Sequence, residues 1–159
     1  MARVALLLGG NQGDVKRTLQ LINSRVGAVL RCSHRYESEP WGFPAAQRFS
    51  NQALEVSTDL SPLEVLDACQ GIERELGRNR AAEAIEKASS GAAYSSRPID
   101  IDIIFYGDEV IDDERLTVPH PLLAEREFAL QPLAEIMRRH RHPITGVTVG
   151  EMLDALRNR

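Results

Sequence analysis

The run Arg97-Pro98-Ile99-Asp100-Ile101-Asp102-Ile103-Ile104-Phe105-Tyr106 constrains this chain more than any other stretch. It is dense in β-branched and aromatic residues and is followed by Gly107-Asp108, so it reads as a strand closed by a turn. Side chains alternate along a strand, which puts Ile99, Ile101 and Ile103 on one face and Asp100, Asp102 and Ile104 on the other. Two carboxylates about 7 Å apart along the backbone then point the same way from an otherwise apolar strand. Like charges so placed repel. The cost is avoided if the acids reach water, and offset if a divalent cation sits between them. Taken alone, the pair fits either a metal–phosphate site or a wet sheet face, because ion-pair networks and solvated faces also produce such pairs.

A chain of 159 residues suits one domain, spanning 1–159, with a sizeable core. The apolar runs are short. Val4-Ala5-Leu6-Leu7-Leu8 is far too brief to cross a bilayer, and the start lacks the pattern of a signal peptide, so a cytoplasmic protein without a membrane segment is expected. A formal net charge of −4 argues against a general nucleic-acid binder but leaves room for a local basic patch facing a phosphorylated small molecule. Cys32 and Cys69 have no metal-ligand spacing and lie in segments that read as regular structure, so buried free thiols are expected rather than a disulfide.

Residues 3–9 read as a buried strand ending at Gly9-Gly10, and 11–14 as a turn with Asp14 as N-cap of a helix running to about Ala28. These glycines lack the spacing of a phosphate loop, and a plain strand-to-helix turn is the favoured reading. Residues 29–38 look like one strand and 49–58 another. Between them Glu39-Pro40-Trp41-Gly42-Phe43-Pro44 excludes regular structure and either packs on the core or walls a pocket for a flat ligand. Phe49 and Asn51 share a strand face and could stack on and hydrogen-bond a heterocycle, although an edge asparagine is the commoner explanation of such a residue. Ser61-Pro62-Leu63-Glu64 is a helix start with a capping box, and Gly77 a helix stop. Near that stop lie Glu73, Arg74, Arg78 and Arg80. Cations there have a generic rationale in the helix dipole, and a specific one as a guanidinium cluster for phosphates. Residues 81–87 could be helical, and 88–96 form a small, polar stretch that is a candidate lid or a plain insertion.

Beyond the central strand, Glu109-Val110-Ile111 reads as its hairpin partner and 115–121 as an extended segment, with His120 held between two prolines. A helical turn at 122–127 precedes a helix carrying Leu130, Leu133 and Ile136. His140-Arg141-His142 is a polar loop without a metal role, and Thr148 to Glu151 is a second capping box. The order β-α-β-β-α-β, with additions at the end, predicts an α+β fold of the ferredoxin-like kind, a mostly antiparallel sheet with helices packed on it.

Several of these stretches together resemble the 6-hydroxymethyl-7,8-dihydropterin pyrophosphokinase family of folate biosynthesis. They are Leu8 to Asn11 with Gly13-Asp14, Tyr36 to Gly42, Phe49-Ser50-Asn51, Ile72-Glu73 through Arg78-Asn79-Arg80, Arg97 to Asp102, and Leu116 to Pro121, with Arg126 and Phe128. The resemblance runs in order over nearly the whole chain. It implies transfer of diphosphate from ATP to the pterin hydroxymethyl group with release of AMP, a ferredoxin-like fold and two Mg²⁺ ions. On it, Asp100 and Asp102 are the ligands of both metals. Arg78, Arg80, Arg97, His120 and Arg126 meet the triphosphate, with Arg78 and Arg97 counted beside the two acids as catalytic. Leu66, Gln70, Ile103, Arg115 and Thr117 hold adenine and ribose, and Glu73 belongs with this ATP-binding set. Phe49 and Phe128 sandwich the pterin, with Ser38, Trp41 and Asn51 at its edge.

Elementary chemistry agrees with that assignment. Phosphoryl-type transfer needs positioning and charge neutralisation, arginine offers forked donors to phosphate oxygens, and magnesium takes a few carboxylates plus water and substrate phosphate. No residue stands out as an essential base. Many family members carry Arg-Trp-Gly-Pro before the strand. Here the place reads Ala93-Tyr94-Ser95-Ser96, so one arginine has no clear counterpart and Lys87 is only a distant candidate. A monomer acting on two small molecules is expected. Two rival readings stay open: a ferredoxin-like protein that binds nucleotide or pterin without chemistry, and a nucleotidyltransferase, which would release pyrophosphate instead of AMP.

Overall fold

In the computed structural model the described residues are 1–10, 15–38, 49–77 and 99–159, without the side chains of Ser38 and Phe49. The sheet is built around β1 (Ala2–Gly10), which is flanked by β4 (Phe49–Thr58) on one side and β5 (Asp100–Tyr106) on the other. The edge strands β2 (Ala28–Cys32) and β3 (Tyr36–Ser38) both pair with β4, and every pairing in the sheet is antiparallel. Helix α1 (Val15–Arg25) connects β1 to β2, and α2 (Pro62–Glu75) lies between β4 and β5 in the chain. This is the α+β, ferredoxin-like arrangement that the element order predicts.

Burial of β1 explains the placement of everything else. Val4 through Leu8 are all buried, so both of its faces are covered. On one face Val4, Leu6 and Leu8 join Leu54, Val56, Ile99, Ile101 and Ile103 beneath α1 and α2, through Ile22, Val26, Val65, Cys69 and Ile72. On the other, Ala5, Leu7, Ala53, Ile104 and Phe105 meet two helices from the end of the chain, α3 (Glu127–Met137) and α4 (Val149–Arg157). An antiparallel strand covered on both sides carries a continuous apolar run rather than an alternating one, which is what Val4 to Leu8 shows. Both expected capping boxes form, at Ser61/Glu64 and Thr148/Glu151. Gly77, at φ 101°, follows α2 in the left-handed conformation that favours glycine.

The central strand carries a bulge. Leu6 pairs with Ile103 and Ala5 with Phe105, leaving Ile104 as the extra residue. Ile104 and Phe105 therefore both face the α3–α4 core, and Tyr106 returns to the α1–α2 core. Ile99, Ile101 and Ile103 keep the face that alternation assigns them, and Asp100 and Asp102 the opposite one.

Several expectations need correction. Helix α1 ends at Arg25, because Ala28 already pairs with Ser57 in the sheet. Residues 29–38 are not one strand: Ser33 breaks the ladder, its amide donating to the Ala53 carbonyl and its hydroxyl accepting from the Ala53 amide. Residues 109–111 do not pair with the central strand. Instead β6 (Ile111–Asp112) pairs with β7 (Thr117–Val118) in a separate two-stranded hairpin. Cys69 is buried, but Cys32, on the outermost strand, is exposed, and both are free thiols. His140 turns its ring edge onto Phe105, with centroids 4.5 Å apart, so the 140–142 loop is partly a packing element. The 81–87 helix, the candidate lid at 88–96, the 39–44 loop and Asp14 lie outside the described residues. No helix among the described residues is long and apolar enough to cross a membrane.

Two glycines test this packing in opposite directions. A Cβ on Gly27 would meet the Ser57 carbonyl oxygen at 2.0 Å, so Gly27→Ala is expected to destabilise by about 1–3 kcal/mol. Gly71, inside α2, has only the Arg74 guanidinium at 3.8 Å, so Gly71→Ala is expected to stabilise by about 0.5–1 kcal/mol. Urea unfolding midpoints moving in opposite directions are the expected readout.

Candidate active site on the outer edge of the sheet

Helices α3 and α4 pack on Ala5, Leu7, Ala53, Ile104 and Phe105 of their sheet face, and the register shows which residues come next to these. Asn51 pairs with Gly9 and Gly9 with Asp100, so these three form one row across β4, β1 and β5. The next row is Ala53, Leu7 and Asp102. Gly9 contributes no side chain to the first row, and a Cβ there would sit 3.4 Å from Asn51 Oδ1. The bare floor runs from a buried amide to a half-buried carboxylate. Gly9 and Gly10 end the strand as expected, but the role of Gly9 was missed in the sequence, because only the register discloses that it lies between Asn51 and Asp100.

Asp100 and Asp102 open onto a cleft that wraps the outer edge of β5 and holds about 700 Å³ of space, part of it open to solvent. Helix α2 supplies Leu66, Gln70 and Glu73, the β6–β7 hairpin supplies Thr117, and Arg115, Leu116, His120 and Pro121 come from the chain beside it. Ile101 and Ile103 line it from β5. The structure thus brings together both acids and seven of the expected ATP-binding residues (Leu66, Gln70, Glu73, Ile103, Arg115, Thr117 and His120). A smaller pocket of about 200 Å³ joins Asp102 and His120 to Arg126 and Phe128 at the start of α3. Arg126 places its guanidinium over the Phe128 ring, 5.6 Å from the centroid. Phe128 is exposed at the rim of this pocket. Arg78, Arg80, Arg97 and Trp41, and the side chains of Ser38 and Phe49, fall outside the described residues.

The outer edge of β5 has backbone groups to satisfy, and the site residues satisfy them. Glu73, only 4% exposed, accepts the Ile101 amide through Oε2 at 2.9 Å. That amide lies between the two aspartates, so a helix side chain holds the strand at the point where the acids project. The bulge turns the Ile104 carbonyl outward, where the His120 amide donates to it at 3.1 Å. His120 Nδ1 accepts from the Leu122 amide at 3.3 Å, which leaves Nε2 as the remaining ring nitrogen. Arg115 is held by an ion pair to Asp67, one turn before Gln70 on α2. Asp67 was not anticipated, because nothing in its local sequence marks a partner 48 residues away.

The charge pattern suits a cation and an anion together. Burial, then the Glu73 and Asp102 carboxylates, push the Cys69 thiol up to about 12, so Cys69 is an inert packing group and not a nucleophile. Burial, then Arg126, lower the pKa of His120, which keeps it neutral and able to donate a hydrogen bond. The donor set fits magnesium: hard carboxylate oxygens on one strand face, beside a polar cleft. Among the described residues no cluster of three His, Cys, Asp or Glu forms a closed cage, and magnesium characteristically leaves positions for water and phosphate.

Comparison with known proteins adds a family. A model of the 7,8-dihydro-6-hydroxymethylpterin-pyrophosphokinase family matches residues 5–138. A 2-amino-4-hydroxy-6-hydroxymethyldihydropteridine pyrophosphokinase from Porphyromonas gingivalis is 38% identical over 141 residues, covering 86% of this chain and 91% of that protein. The enzyme of that name from Bacillus subtilis is 36% identical over 139 residues, covering 84% and 77%. Among solved structures, the Plasmodium falciparum HPPK-DHPS triple mutant superposes with a TM-score of 0.74 at 15% identity, which is a likeness of fold. It covers 97% of this chain, whereas this chain spans 43% of that one.

Two outcomes follow from the edge contacts. Glu73→Ala strands the buried Ile101 amide and is expected to cost about 1–3 kcal/mol in denaturant unfolding, while Glu73→Gln, which keeps an acceptor, costs less. For His120 the folded pKa lies below the ordinary value of 6.5, so the unfolded chain binds the extra proton first. Stability is present above that value and lost as pH falls through the folded pKa. His142, lowered chiefly by burial, acts in the same direction, so His120→Gln should flatten the acid-side decline of the melting temperature without abolishing it.

Proposed function

Since the chain belongs to the 7,8-dihydro-6-hydroxymethylpterin-pyrophosphokinase family, we propose how its own residues carry that reaction. The activity is ATP-dependent pyrophosphoryl transfer in folate biosynthesis, with ATP and 6-hydroxymethyl-7,8-dihydropterin as the small-molecule substrates. The pterin hydroxymethyl oxygen forms a bond to the β-phosphorus, the bond from that phosphorus to the α–β bridging oxygen breaks, AMP leaves, and the hydroxyl proton passes to solvent.

The observation that carries the assignment of roles is the position of Asp100 and Asp102, on one face of β5 where the wrapped cleft meets the Arg126–Phe128 pocket. Nucleotide lies in the cleft, with adenine and ribose against Leu66, Gln70, Ile103, Arg115 and Thr117. The pterin lies at the far end of the bare row. Phe128 and Phe49 stack on its two faces, Asn51 hydrogen-bonds its edge, and Ser38 and Trp41 close the rim. The reacting groups then meet above the two acids. Asp100 and Asp102 hold two magnesium ions, whose chemistry when bound is to neutralise the triphosphate and the attacking oxygen. Arg78, Arg80, Arg97, His120 and Arg126 donate to the nonbridging oxygens, and those that tighten as charge moves to the leaving AMP contribute to rate rather than to binding alone. Glu73 keeps the strand beneath the acids in place. Residues 1–159 work as one pyrophosphokinase domain, a cytoplasmic monomer with no nucleic-acid partner.

The test is AMP release from ATP with magnesium, with and without the dihydropterin. AMP should appear only when both substrates and the metal are present; AMP without pterin dependence, or pyrophosphate in its place, would overturn the reading. Asp100→Ala and Asp102→Ala should each lower turnover by about a hundredfold or more, since several kcal/mol of charge stabilisation is lost at about 1.4 kcal/mol per tenfold. Wild-type rates in either variant would refute the metal assignment.

A further inference from the structure

A hydrogen-bonded cluster outside the site ties its two halves together. Glu135 lies on α3 seven residues after Phe128, which at 3.6 residues per turn returns it to the same side of the helix about 10 Å along the axis. Its carboxylate gathers donors from the edge of the sheet. Tyr36 donates its hydroxyl to Glu135 Oε1 at 2.5 Å, and the His34 amide donates to the two oxygens at 3.2 and 3.1 Å. His34 Nδ1 lies 3.0 Å from Oε2. One residue further along α3, the Ile136 carbonyl accepts from Arg31 Nη1 at 3.0 Å. Tyr36 is in turn the register partner of Asn51 on β4.

We propose that the Tyr36–Glu135 bond is a strut that sets the width of the pterin slot, making Tyr36 and Glu135 positioning residues for that substrate. The inference rests on the slot assigned above, between Phe128 on α3 and the Phe49–Asn51 end of β4. The buried stripe of α3, including Leu130 and Leu133, fixes how deeply the helix sits on the sheet but leaves its tilt in the sheet plane to contacts at its sides. The strut supplies that contact from β3, the strand paired with the Asn51 end of β4. Over a lever of about 10 Å a tilt of a few degrees moves the Phe128 ring by on the order of 1 Å, enough to spoil stacking and in-line attack. Tyr36 lines neither the nucleotide cleft nor the Arg126–Phe128 pocket. Its effect falls mainly on one substrate, because the cleft for adenine and ribose is built from α2, β5 and the β6–β7 region and shares no wall with β3. Arg126, at the start of α3, is the nucleotide contact that moves with Phe128.

The experiment is steady-state AMP release with each substrate varied in turn. Tyr36→Phe and Glu135→Ala should each raise KM for the dihydropterin by about tenfold, the effect of losing one charge-assisted hydrogen bond, with a much smaller change in KM for ATP. Glu135→Gln keeps an acceptor for the hydroxyl and should fall between these variants and wild type. The double variant Tyr36→Phe with Glu135→Ala should be no worse than the more impaired single one. An unchanged pterin KM, equal rises for both substrates, or additive losses would overturn the strut, as would a lowered melting temperature without the KM split. Phe128→Ala separates the two ideas: if it leaves pterin KM unchanged, the slot assignment itself fails; if it raises pterin KM while Tyr36→Phe does not, only the strut fails.

Discussion

Burial of β1 on both faces is the constraint from which the architecture follows. A strand with no solvent face must be covered twice, and the chain does so with α1 and α2 on one side and α3 and α4 on the other. The second pair does not reach the end of the strand. Gly9, Asn51 and Asp100 form a row there. Among the described residues, the site lies where the apolar packing of α3 and α4 on that sheet face gives way to polar side chains.

A pair of neighbouring acids is costly to hold in a fixed geometry, and backbone contacts on both sides of the strand help to hold it. Ile99, Ile101 and Ile103 are sunk in the core beneath the acids. Glu73 takes the amide between the acids and His120 the carbonyl beyond them. An edge strand normally offers such groups to water or to another chain. Here they are used internally, so the same contacts seal the edge and aim Asp100, Asp102 and His120 into one cleft.

Much of this is readable in the sequence because it is local. Alternation in β5, the capping boxes at Ser61 and Thr148, and the extended Leu116–Pro121 segment each depend on residues within a few positions of one another. What escaped is long-range. The row that makes Gly9 significant depends on strand register. The bond from Glu73 to Ile101 joins residues 28 apart, and that from Tyr36 to Glu135 residues 99 apart. The break at Ser33 was invisible because a serine in a strand pattern gives no sign that its hydroxyl will replace a ladder bond. Cys32 was expected inside because its segment reads as a strand, but it lies on an outermost strand and is exposed.

The extra residue at Ile104 gives β5 two phases. Upstream of it, odd-numbered positions look toward α1 and α2; downstream, the even-numbered Tyr106 does, and it anchors there by donating its hydroxyl to the Leu60 carbonyl at 2.6 Å. The acid pair and the anchor are thus set by opposite parities, and a strand without the bulge could satisfy only one of them. The bulge is where the chain exchanges strict periodicity for the freedom to place chemistry at one end of a strand and attachment at the other.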